Sequence, residues 1–157
     1  MTRQKSLNIL WRRLITIFVI LIGTAICIFY FGNEIRVLAL LFIFGNLGSY
    51  LSIHKSLGDL DDDEVIELSN SWLALITPAI VGGILSIMLY ILFLSGLVGG
   101  ELFPTFKEDP QVRSGLDALL DQHATGMAEY AKLLFWGFLA GFNQKYAIDI
   151  ISSVRHK

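Results

Sequence analysis

Apolar and polar residues along the chain fall into blocks, not stripes. Positions 14–31 and 72–98 contain no charged residue, and the charges gather in the segments around them. A helix in water spreads its charges along one face, whereas a bilayer selects uninterrupted apolar runs. The pattern predicts an all-α integral membrane protein: a bundle of four transmembrane helices, with short amphipathic interfacial helices in the outer loop and at the C-terminus. The first run has 18 residues and would rise ~27 Å, against a hydrocarbon core of ~30 Å. Trp11, Arg12 and Arg13 precede it and Tyr30 lies near its far end, residue types that bilayer interfaces favour.

Positions 32–36 leave room only for a tight helical hairpin. A second span follows at 37–53, and its Asn46, Ser49, Tyr50 and Ser52 are expected to point into the bundle, where polar groups find partners. The third span, 72–98, would reach ~40 Å if straight. That is too long without tilt or a bend, and Pro78 offers the bend. In the fourth, only 133–142 is strictly apolar. Extending it to 127–144 brings in Glu129 and Lys132, which pair at spacing three while Lys132 snorkels to the surface. A re-entrant helix is the alternative there.

In lipid, small residues let helix backbones approach closely. Gly45 and Ser49, Ala79 and Gly83, Gly82 and Ser86, and Gly137 and Gly141 each stand four apart. These positions are the expected helix-packing surfaces, although spacing alone does not separate packing within one chain from packing between chains.

The loop at 54–71 is acidic. Asp59, Asp61 and Asp63 alternate as in the opening of a calcium loop, which then needs Gly at its sixth position and Glu at its twelfth. Glu64 and Asn70 stand there instead. The acids are read as the start of a helix leading into Trp72, where exposed N–H groups favour carboxylates. In the outer loop, 99–126, Leu102, Phe103 and Phe106 around Pro104 form an expected interfacial patch. Asp109-Pro110 then opens a helix whose apolar face is Val112, Leu116, Leu119 and Leu120. Past the last span, Ala147, Ile150, Ile151 and Val154 share a face of a C-terminal helix over 145–157, with Lys145 and Asp149 paired.

Composition supports the bilayer reading. Of 157 residues, 54% are hydrophobic and 17% charged, with a mean hydropathy of +0.62; a soluble domain carries about 25% charged residues. A net charge of −2 excludes a broadly basic nucleic-acid footprint. The single cysteine, Cys27, rules out an internal disulfide and is expected to be a buried small hydrophobe. The first apolar run exceeds the roughly 7–15 residues of a signal peptide's core, and its small residues sit mid-run, so it is read as a retained anchor.

Charge also orients the chain. With four spans the termini share a side, which holds Arg3, Lys5, Arg12, Arg13, Lys55, Lys145, Arg155 and Lys157. The opposite side holds Arg36, Lys107, Arg113 and Lys132. The excess places both termini and the loop 54–71 in the cytoplasm of a bacterial cell, and the loop 99–126 in the periplasm.

No catalytic constellation is visible. His54, His123 and His156 lie in separate segments without metal-ligand spacing. No Asp, Glu or Lys sits near a span centre, where proton and ion pathways place them. A protein without enzymatic activity, metal or cofactor is expected.

Phe44-Gly45-Asn46-Leu47-Gly48-Ser49, with the long Trp-to-Pro-to-Gly-Gly helix after it, is one distinctive stretch; the region from Leu139 to Asp149 is another. Together they resemble a loose group of small, uncharacterised bacterial four-span inner-membrane proteins that end in a G-F-S-E-R-F-like box. Here the box reads Gly141-Phe142-Asn143-Gln144-Lys145-Tyr146. The resemblance implies a bacterial inner-membrane architecture, and by analogy a membrane subunit of a phage-defence or stress system. The expected function is a non-enzymatic scaffold or sensor subunit in contact with the lipid bilayer, a homo-oligomer joined through its glycine faces. It would recruit a cytosolic protein partner through Asp61, Asp62, Asp63, Glu64, Gln144, Lys145 and Asp149. The competing reading is a pore-forming or membrane-disrupting effector, motivated by Asn46, Ser49 and Ser52 along one helix.

Overall fold

The computed structural model describes residues 3–31, 36–58, 61–106 and 124–144. Within these residues the chain forms helices α1 (Arg3–Phe31), α2 (Arg36–Ser56), α3 (Asp62–Asn70), α4 (Trp72–Leu94) and α5 (Met127–Phe142). They contain no strand, only an isolated bridge between Phe106 and Ala124. Among the described residues, three segments are long and apolar enough to cross a membrane: Gln4–Phe31, Val37–Ser56 and Trp72–Leu94. At 16 residues α5 is shorter, rising ~24 Å. The expected outer-loop helix over 109–120, the hairpin at 32–35 and the C-terminal helix over 145–157 lie outside the described residues.

Helix α1 begins well before the charge-free run. Ser6, Leu10 and Leu14 are buried at spacing four, and Ile17, Leu21, Ala25 and Ile28 extend the same stripe. The basic residues therefore belong to the helix's first turns. The rest of α1 is open: Val19, Ile20, Ile26 and Phe29 are exposed. Cys27 is exposed as well, which corrects the expectation of burial; it lies on the side of the helix away from Leu21, Ala25 and Ile28.

The acidic residues do not lead directly into the helix at Trp72. Asp62 and Asp63 open a separate short helix, α3, and Val65 N–H donates to Asp61 O at 3.0 Å. A second start follows at Ser71, whose Oγ accepts from the Ala74 N–H at 3.2 Å and caps α4. Pro78 lies inside α4, which continues past it to Leu94. The expectation that this span reaches position 98 is corrected by its C-terminus. Ser95 N–H donates to Ile91 O and Gly96 N–H to Phe93 O, with Gly96 at φ +69°. Glycine adopts that left-handed closing conformation without steric cost. Serine and glycine are uncharged, so the hydropathy pattern runs through the stop.

The core has two apolar ends. At one, Leu10, Leu14, Tyr50, Leu57 and Leu75 draw together α1, α2 and α4, with Leu68 of α3 against them. At the other, Leu41, Tyr90, Phe93 and Leu133 join α2, α4 and α5. Between them lies a layer of glycine and serine.

Candidate functional site

The glycine layer is where α2, α4 and α5 approach most closely. A Cβ added to Gly45 would run into the backbone of Gly82, and one added to Gly141 into the backbone of Gly45. A Cβ on Gly48 would meet the carbonyl of Phe138 and, at 2.7 Å, the amide nitrogen of Phe142. On Gly137 it would meet Ser86 Oγ, and on Gly83 the Phe42 ring at 2.5 Å. Two hydroxyls lace the layer. Ser49 Oγ donates to Gly45 O at 3.1 Å within its own helix and lies 3.3 Å from Gly141 O on α5, while Ser86 Oγ donates to Leu41 O at 2.8 Å. Asn46 is buried in the same layer, its Oδ1 without a partner.

Of the predicted packing positions, the structure brings Gly45, Ser49, Gly82, Ser86, Gly137 and Gly141 together, seats Gly83 on Phe42, and leaves Ala79 only half-buried. These glycine faces are occupied within one chain. Gly48 was not singled out in sequence because it is three residues from Gly45 and adjacent to Ser49, outside the four-residue spacing.

Each end of the bundle carries an aromatic set. At the Ser71 end, Trp11 packs edge-on to His54 at 4.8 Å between centroids, and Phe18 stacks on Tyr50 at 5.1 Å. The Arg13 guanidinium lies 4.7 Å over the Trp72 ring, and Lys55 Nζ lies 5.7 Å from the Phe142 ring. Such contacts are attractive because the ring face is electron-rich.

At the other end the segment 99–106 folds back on the bundle. Phe103 stacks on Trp136 at 5.1 Å, Phe106 meets Tyr90 at 5.8 Å, and Pro104 is buried. The expected patch is thus mostly a packed cap, with Leu102 alone of the three apolar residues left exposed. Trp136 Nε1–H donates to Leu102 O at 2.9 Å. The Thr105 N–H donates to Glu129 Oε2 at 2.8 Å, and Lys132 Nζ to Glu129 Oε1 at 2.9 Å. Glu129 therefore ties the loop to the first turn of α5, where a carboxylate also meets the positive end of the helix dipole.

The predicted partner-binding residues do not form one surface among the described residues. Asp61, Asp62 and Asp63 are exposed at the start of α3, whereas Gln144 is buried, its Oε1 without a hydrogen bond. The Glu64 side chain, Lys145 and Asp149 lie outside the described residues. No group of three or more His, Cys, Asp or Glu that could hold a metal ion occurs among the described residues. No protein-family model matches the chain, and the comparisons with curated proteins and solved structures found no match.

Proposed function

We propose that the chain is a four-span bacterial inner-membrane protein, both termini cytoplasmic, that acts as a non-enzymatic scaffold subunit for a cytosolic partner. Support for α5 as the fourth span comes from its register. Gly137 lies beside Leu41, Gly141 beside Gly45, and Phe142 beside Gly48, so α5 runs alongside α2 in the same direction. A short helix packed this way satisfies its backbone internally, and Lys132 and Lys55 mark the two ends. Asp61, Asp62 and Asp63, exposed in the cytoplasmic loop of this topology, are the recognition residues it offers a partner.

One observation favours the scaffold over the pore. Of the three residues that could line a polar lumen, Asn46 and Ser49 are buried and Ser52 is half-buried, and Ser49 sits between glycine carbonyls of α2 and α5. In lipid, hydroxyls so used bind helices together. Any homo-oligomer in this reading uses surfaces other than the glycine faces. Protein reconstituted into liposomes carrying a potassium diffusion potential should leave that potential intact. Collapse of the potential in proportion to the protein added would overturn the scaffold in favour of the pore.

A further inference from the structure

An open cavity of about 310 Å³ lies between α1 and the start of α4, lined by Ile9, Arg12, Arg13, Thr16 and Trp72. Its chemistry is that of an anion site with an apolar wall. Arg13 rests on the Trp72 face, and its Nη1 is buried without a hydrogen-bond acceptor. A guanidinium offers five N–H donors in a planar fork suited to phosphate oxygens, and a buried N–H lacking an acceptor is costly. Arg12, exposed beside it, adds a second positive charge. Thr16 is already committed, its Oγ1 donating to Arg12 O at 2.8 Å.

The cavity's level in the fold decides the source of the anion. Arg12 and Arg13 immediately precede the charge-free run of α1, and Trp72 is the first residue of α4. Deeper along the same faces, at the four-residue helical spacing, come exposed apolar side chains: Ile20 below Thr16, then Ile76 and Ile80 below Trp72. A phosphate held by the arginines would have its acyl chains laid along this track.

We infer that this cavity binds the headgroup phosphate of an anionic phospholipid from the cytoplasmic leaflet. Basic pockets between membrane helices on that side hold such headgroups. The inference rests on the proposed topology, with α1 and α4 crossing the bilayer and the N-terminus cytoplasmic, which labelling of a Lys5→Cys, Cys27→Ser variant by impermeant maleimide in intact and permeabilised spheroplasts reports independently.

The test is native mass spectrometry of the full-length chain released from mixed micelles of phosphatidylglycerol and phosphatidylcholine. Phosphatidylglycerol should be retained over phosphatidylcholine by roughly tenfold, the scale set by basic side chains at an anionic surface. Arg13→Gln should abolish most of that preference. Lys5→Gln, which removes one positive charge as Arg13→Gln does but away from the cavity lining, should retain it. Millimolar inorganic phosphate should not displace the lipid; full displacement would assign the site to free phosphate and overturn the lipid source. Equal lipid discrimination in wild type and Arg13→Gln, or equal loss in Lys5→Gln, would also overturn the inference. An unchanged helical circular-dichroism spectrum shows that each variant is folded.

Discussion

At Gly141 a hydrogen is the largest group the contact with α2 accepts, since a methyl would enter the Gly45 backbone. Neither partner atom is the far end of a flexible side chain, so relief requires the helices to separate. Gly141→Ala should destabilise the bundle by about 1–3 kcal/mol, the usual cost of overpacking. Gly23 provides the contrast, because nothing lies within 4 Å of a Cβ there; Gly23→Ala should leave stability unchanged. Unfolding of both variants in mixed micelles by titrated sodium dodecyl sulfate measures the difference. Ser86→Ala removes the hydrogen bond to Leu41 O and should cost about 0.6 kcal/mol, up to ~2, as such bonds do in membranes. A loss no larger for Gly141→Ala than for Gly23→Ala would mean that α2 and α5 are not in backbone contact.

Helix boundaries show what pattern reading captures and what it misses. Charge-free runs locate α1, α2 and α4 because a bilayer demands length and apolarity, and both are written directly in residue types. The end of α4 at Leu94 is set by Gly96 in a left-handed conformation, a backbone property that hydropathy does not encode. Spacing likewise suggests which small residues can pack, but not that Gly45, Gly82 and Gly141 from three helices converge, since that depends on tertiary register. The Arg13–Trp72 contact joins residues far apart in sequence, and no local signal announces it. The loop cap has the same origin: Phe103 and Phe106 read as interfacial, yet Trp136 and Tyr90 cover them. Trp136→Ala removes both the stacking on Phe103 and the hydrogen bond to Leu102 O. It should speed limited proteolysis within 99–106 while leaving helical content unchanged, and Trp136→Phe, which keeps a ring, should restore part of the protection.

Across the whole molecule, α2, α4 and α5 form a bundle closed at its centre by backbone, with α1 laid against one end. Most of α1 beyond Leu14 is exposed, and only 6% of its apolar window is buried within the chain. In a bilayer that surface is solvated by lipid, which gives no reason for it to fold back. A fluorophore placed at Cys27 in the assembled protein should therefore be quenched by brominated acyl chains, and one at an Asp62→Cys site in a Cys27→Ser background, exposed outside the apolar segments, should not.

A helix α5 that crosses the membrane beside α2 puts Thr125 and Asn143, both exposed, on opposite sides. Labelling of single cysteines with a membrane-impermeant maleimide in intact spheroplasts reads this directly, using Thr125→Cys and Asn143→Cys in a Cys27→Ser background. Labelling is expected at position 125 from outside, and at position 143 only after the membrane is permeabilised. Labelling of both positions from outside would contradict this crossing and make α5 a re-entrant helix.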